Sequence, residues 1–423
     1  MSTLSRTSQA KLHDIAERYV AGGKNREVPG LIYVAFREGG QPIFEHYAGC
    51  RGIEPGTPPM DADTICWLAS FTKLVTSVAC MQLVEHGVLE LDNPDQIATL
   101  APELRDIKVL ERAEDGIFYL VEKRGEITLR MLLNHTAGFG YAFEDEKLAH
   151  YGQPVGLDDF CGELSDLLRR PLVNHPGETF QYGTSMDWVG ILIERVTGFT
   201  LEEVFQKYIF SPLGMVGVTF YPTDETRARL AYLHRRGPDG NLAQRDHLYA
   251  KPLRVKEGSQ RDEIFCAGGH GLFGPPAEFR KLIGMLLNDG LDLASGARLL
   301  NKATVDEMFK DQIPSMPRYS NESVPVAKPH LANPTPLVPM PADHTEGWGL
   351  GFSISHLPSE TGRPAGVGSW EGLANLFWFA DRENKVGAII ASQILPYGDL
   401  HLLKCADEME TVLYREILEA GTS

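Results

Sequence analysis

The sequence predicts an α/β (α+β) fold in which a mixed antiparallel sheet, flanked by helices, is built from both ends of the chain around an inserted, mainly helical region. Three observations predict it. Two strand-like runs lie near the N-terminus, four more lie near the C-terminus, and between Asp61 and roughly Gly290 the pattern is helices broken by long loops. Residues 1–60 and 291–423 then form the sheet unit, and residues 61–290 the helical one.

The elements follow in order. Leu4, Leu12, Ile15, Ala16 and Tyr19 fall at helical spacing with charges between them, so an amphipathic helix is expected up to Val20, ended by Gly22-Gly23. The β-branched and aromatic run Gly30 to Phe36, the Gly39-Gly40 turn and Pro42 to Tyr47 read as a hairpin. From Phe71 to Gly87, Phe71, Leu74, Val75 and Val78 recur at i, i+3, i+4 and i+7, and further apolar residues surround the helix, which marks it as buried. Trp188 to Val196 and Leu201 to Ile209 read as two helices joined by Thr197-Gly198. Asp311 to Pro341 is proline-rich, lacks periodicity and reads as a loop. Strands are expected at Gly349 to Ser355, Gly366 to Trp370, Ala374 to Ala380 and Val386 to Ile394, with a last helix from Leu400 to Ala420.

Composition narrows the function. With 40 Lys plus Arg against 57 Asp plus Glu, the net charge of −17 argues against a nucleic-acid partner, which calls for a basic face. The six cysteines include no C-x-x-C pair and no histidine partner at metal-ligand spacing, so they read as reduced, buried thiols, with no metal implied. The N-terminus carries no apolar signal segment, and no run approaches the roughly 18 apolar residues of a membrane span. A soluble, cytoplasmic protein is expected.

The sharpest chemical signal is Ser70-Phe71-Thr72-Lys73 at the start of a helix. Ser-x-x-Lys sets both side chains on one face, one turn apart. A serine hydroxyl is a weak nucleophile and needs a base within hydrogen-bond reach. A lysine amine, ordinarily near pKa about 10.4, serves if burial lowers it. Alone the tetrapeptide is weak, since an N-cap serine with a solvated lysine gives the same letters. Its apolar flanks, Trp67-Leu68 before and the helix after, would bury Lys73. Tyr182 lies in the Gly177 to Gly183 loop, either as a packing residue or as a proton shuttle. Gly368 to Gly372 ends a strand and permits close approach of a substrate, or is a plain hairpin. In Gly268-Gly269-His270-Gly271, His270 reads as structural, because spacing assigns it no acidic partner.

These blocks, with Leu132 to Gly138, Pro176-Gly177 to Tyr182 and Pro212 to Met215, resemble the β-lactamase/DD-peptidase superfamily with its Ser-x-x-Lys motif. The likeness is strongest to the class C β-lactamase-like acyltransferases and esterases, and among them to the fungal lovastatin-type polyketide acyltransferases. It spans nearly the whole chain and includes Lys123 to Arg130, Asp187-Trp188, Gly268 to Phe273 and Gly372 to Trp378. The resemblance implies that Ser70 takes the acyl group, Lys73 is the general base and Tyr182 assists proton transfer. Backbone N–H groups of Ser70 and of the strand after Gly372 would form the oxyanion hole. Trp370 and Gly372 would contact substrate, Tyr249 and Tyr397 would line the acceptor pocket, and Arg169 and Arg170 would lie near a substrate-contacting arginine. Trp370-Glu371-Gly372 replaces the Lys-Thr-Gly of class C β-lactamases, and Glu371 would repel a β-lactam carboxylate, so β-lactamase activity is not expected.

The function implied is transfer of an acyl group from a thioester donor, through a Ser70 acyl-enzyme, to an alcohol of a secondary metabolite, with a small-molecule donor and acceptor. An acyl carrier protein of a polyketide synthase is a further partner candidate, and no cofactor is implied. The alternatives are a carboxylesterase using the same acyl-enzyme and an inactive binding protein on this fold.

Overall fold

In a computed structural model, residues 3–421 are described except 24–25, 256–260, 262, 322–323, 338–339 and 342. The N-terminal helix α1 (Arg6–Val20) buries Leu12, Ala16 and Tyr19, and Ser5 caps it by accepting from the Ser8 N–H. Strands β1 (Gly30–Arg37) and β2 (Pro42–Gly49) form the expected hairpin. The short strand β3 (Cys66–Trp67) leads to helix α2 (Thr72–Glu85), and helix α3 (Ser185–Thr197) packs against it. Strand β4 (Phe273–Gly274) pairs with β3 and precedes helix α4 (Phe279–Leu287). The C-terminal part supplies β5 (Glu346–Trp348), β6 (Ser353–Ser355), β7 (Gly368–Gly372), β8 (Leu376–Asp381), β9 (Val386–Ala391) and helix α5 (Leu400–Gly421).

The main sheet has seven strands in the order β2-β1-β9-β8-β7-β6-β5, and every neighbouring pair is antiparallel. Strand β1 from the N-terminal segment docks on β9 from the C-terminal one. Both ends of the chain therefore meet in the middle of one sheet. Burial of β1 on both faces explains its unbroken apolar run. Leu31, Tyr33 and Ala35 face a layer made with α1 and α5, while Ile32, Val34 and Phe36 face the main core. On α5, Leu402, Cys405, Met409, Leu413 and Ile417 recur every three or four residues and all join the first layer.

Two of the expected strand runs are broken, and those at 366–370 and 374–380 lie at Gly368–Gly372 and Leu376–Asp381 instead. The Gly349 to Ser355 run is split: Gly349 N–H donates to Phe352 O at 2.8 Å, and Gly351 adopts φ +103°. A tight turn thus joins β5 to β6, and its Leu350 and Phe352 are buried, which is why it reads as a strand by hydropathy. The Val386 to Ile394 run stops at Ala391, and Ile394-Leu395 leaves to pair in parallel with residues 234–235. The inserted region also holds a hairpin at 108–112 and 118–122 that periodicity did not reveal. The proline-rich segment packs toward the helical region, with Tyr319 against Phe180 at a ring distance of 4.2 Å. No helix among the described residues is long and apolar enough to cross a membrane.

Candidate active site

Ser70 lies in the turn between β3 and α2. The turn is tight: Ala69 adopts φ +44°, a left-handed conformation that a residue with a Cβ holds only when its surroundings enforce it. Here Thr72 Oγ1 donates to Ala69 O at 2.7 Å and accepts the Leu272 N–H at 3.1 Å, tying the turn to the glycine-rich loop before β4. Ser70 keeps partial exposure, whereas Lys73 in the first turn of α2 is fully buried.

Lys73 Nζ lies 3.0 Å from Ser70 Oγ, 2.8 Å from Gly269 O and 3.2 Å from Tyr141 OH. Burial pushes its pKa down to about 7, against the opposing pull of Asp187 and Glu144. The partner set suits a neutral amine. Its two N–H groups reach Gly269 O and Tyr141 OH, which leaves the nitrogen lone pair for the Ser70 hydroxyl proton. The same desolvation raises Asp187 above the usual carboxylate range and Glu144 to about 8, so negative charge near the amine is reduced as well.

Tyr182 completes the cluster. Its hydroxyl donates to Ser70 Oγ at 2.7 Å and accepts Trp370 Nε1–H at 3.1 Å, and its ring centroid is 4.6 Å from Lys73 Nζ. Burial pushes the phenol far up, so it remains a donor at neutral pH. The loop is held because Gln181 N–H donates to His135 O at 2.8 Å and Gly183 lies flat on the 139–140 backbone, where a Cβ would come 2.3 Å from Phe139 O. His135 walls the tyrosine at a ring distance of 4.8 Å and is kept neutral by burial and by Lys73.

The structure therefore brings Ser70, Lys73, Tyr182 and Trp370 into one group, three from the helical region and one from β7. Gly372 borders it: a Cβ there would come within 3.1 Å of Leu68 O, two residues before Ser70. Tyr397 is half-buried and its hydroxyl donates a hydrogen bond to Glu371, whose carboxyl is raised to about 7 by burial and by Glu346. Three other residues make no hydrogen bond to this group among the described residues. Tyr249 is fully buried behind Trp67 and His270, with its hydroxyl on Phe265 O at 2.9 Å. Arg170 is buried in an ion pair with Asp159, because a guanidinium withdrawn from water needs a carboxylate partner. Arg169 points to the exposed surface.

Sequence reasoning missed Tyr141, Asp187 and Asn375 as organisers of the site. Tyr141 closes the Gly138-Phe139-Gly140 stretch directly after the Leu132 to Gly138 block, a position that hinted at it. Asp187 accepts the Gly269 N–H at 2.7 Å, which fixes the residue whose carbonyl holds Lys73, and it lies 3.8 Å from His270 Nδ1. Buried Asn375 donates to Ile394 O and Pro396 O and accepts from the Gly398 and Asp399 N–H groups, pinning the loop that carries Tyr397.

A serine, a buried lysine and a tyrosine converging where a helical region meets an antiparallel sheet is the arrangement of the serine-active, β-lactamase-like class of proteins. The chain belongs to the β-lactamase family, whose model matches residues 15–403. It is 33% identical over 389 residues, 89% of each chain, to monacolin J acid methylbutanoyltransferase of Aspergillus terreus. It is also 33% identical over 387 residues to lovastatin esterase of Penicillium rubens, covering 88% of this chain and 91% of that one. Unliganded simvastatin synthase from Aspergillus terreus matches with a TM-score of 0.80 at 30% identity, over 97% of this chain and 98% of that one.

Proposed function

We propose that this chain is an acyltransferase that moves an acyl group from a thioester, through an ester on Ser70, to an alcohol of a secondary metabolite. The observation that carries the reading is the fully buried amine of Lys73, 3.0 Å from the Ser70 hydroxyl and lowered to about 7. Ser70 Oγ attacks the thioester carbonyl as its proton passes to Lys73 Nζ. The oxyanion is received by the backbone N–H of Ser70 and one from the strand after Gly372. Collapse expels the thiolate, which takes a proton delivered through Tyr182. The acceptor alcohol then enters, gives its proton back along the same route, and its oxygen displaces Ser70. The reading takes residues 1–60 with 291–423 as one unit and 61–290 as the other, with the site at their seam. The donor thioester is carried by coenzyme A or by an acyl carrier protein, and six unpaired cysteines support a reducing, cytoplasmic setting.

Hydrolysis by the same acyl-enzyme is the second reading, favoured by the esterase relative at the same 33% identity. Water competes at roughly 55 M, and a well-oriented alcohol reaches an effective molarity of about 10⁵ M or more. The test is incubation with an acyl thioester, intact-mass detection of the acyl adduct, then addition of an alcohol panel. An adduct absent from Ser70→Ala, followed by ester product, supports transfer. Free acid alone across the panel leaves hydrolysis. An adduct that persists in Ser70→Ala overturns both.

A further inference from the structure

On the opposite side of the main sheet from Ser70, α1 and the edge strand β2 bring two histidines and a carboxylate together. His13 and Glu17 are four residues apart on α1 and so share one face of it, and His46 comes from β2. One donor atom from each of the three lies within 4.8 Å of the others. His46 Nε2 is 2.8 Å from Glu17 Oε1, and the two imidazole rings stand 4.7 Å apart. Asp14 adds a second carboxylate, 3.5 Å from His13 Nδ1. We infer that His13, Glu17 and His46 form a binding site for a divalent transition-metal ion, zinc in particular, that ties α1 to the edge of the sheet.

Two imidazoles and a carboxylate are a borderline-soft donor set that suits zinc, copper or nickel over magnesium or calcium. Zinc binds imidazole and carboxylate at about 2.0–2.2 Å in a tetrahedron, so two of its donors stand about 3.4 Å apart. The donors here lie within 4.8 Å, so the widest pair closes by up to about 1.4 Å while the His46–Glu17 pair opens from 2.8 Å, changes made by χ rotations of His13 and Glu17, whose side chains are 54% and 48% exposed. The backbones need not move. His46 is held in the β1 ladder opposite Tyr33, and α1 is fixed from its other face by Leu12, Ala16 and Tyr19 and at its start by Ser5 and Ser8 on Glu416. The open side of the cluster admits water as the fourth ligand. Because the bound ion requires α1 and β2 to be docked together, it stabilises the folded chain by mass action.

The site is independent of the reading of Ser70. It is tested by isothermal titration of zinc chloride into the chelator-stripped full-length protein, alongside His13→Gln, His46→Gln and a control, His86→Gln, at an exposed histidine outside the cluster. The expected result is one ion per chain for wild type and control, with affinity weakened about tenfold or more in either cluster variant. Zinc should raise the melting temperature of wild type and control and not of the cluster variants. Equal affinity in all four proteins, or no binding to wild type, overturns the proposal. Metal-free melting temperatures report whether each variant folds.

Discussion

Replacing Lys73 with methionine keeps an unbranched chain of similar length and removes the amine, so it separates the activity of the proposed base from the energetic strain of burying it. A lysine whose pKa falls from 10.5 to about 7 on folding destabilises the folded state by about 4 kcal/mol at pH 7. Methionine removes that penalty but also the contacts to Ser70 Oγ, Tyr141 OH and Gly269 O, about 1 kcal/mol each. The variant should thus lose acyl transfer yet be more stable than wild type by about 1 kcal/mol at pH 7. The pH dependence is the sharper signature. Between about 7 and 10.5 the unfolded chain binds the lysine proton and the folded chain does not, so the wild type gains stability as pH rises through this window. The advantage of methionine should shrink by up to about 1.4 kcal/mol per pH unit there. Asp187 works in the same direction: deprived of its cation its carboxyl rises further, so the variant loses stability as pH climbs. Urea denaturation of both proteins from pH 6 to 9.5 measures the gap. A gap that stays flat or widens with pH refutes a neutral, buried Lys73.

Three further perturbations follow from the same geometry. Tyr182→Phe removes the donor to Ser70 Oγ and should lower kcat by about 10²–10⁴ with KM little changed, in a steady-state thioester assay. The base works only when neutral, so kcat/KM should rise through about pH 7; Asp187→Asn removes a charge that raises Lys73 and should move that limb to lower pH, and a shift upward would count against the coupling. Gly183→Ala puts a Cβ 2.3 Å from Phe139 O and 2.6 Å from Gly140 Cα, two backbone atoms, and should destabilise the chain by about 1–3 kcal/mol while displacing Tyr182, read as a lower melting temperature and lower kcat.

Local pattern was enough for the elements whose burial is regular. The unbroken apolar run of β1 and the three-and-four spacing on α5 are written in consecutive residues, and so is the one-turn separation of Ser70 from Lys73. Pattern failed where the chain turns inside the core. The Gly349 to Phe352 turn is as apolar as the strands beside it, and the departure of Ile394 depends on a pairing with residues 234–235 that no local window contains.

What tertiary structure alone decided is the environment of the amine. Ser-x-x-Lys is equally compatible with a lysine in water; only the folded chain closes Tyr141, Gly269 and Asp187 around it, 68, 196 and 114 positions away along the sequence. Tyr249 and Arg170 show the reverse, since they sit in stretches that resemble a substrate pocket yet spend their polar groups on Phe265 and Asp159 inside the core. The physical reason is the same in each case. Proton affinity and substrate contact depend on desolvation and on hydrogen-bond partners, and both are set by residues distant in sequence that only folding brings within about 3 Å.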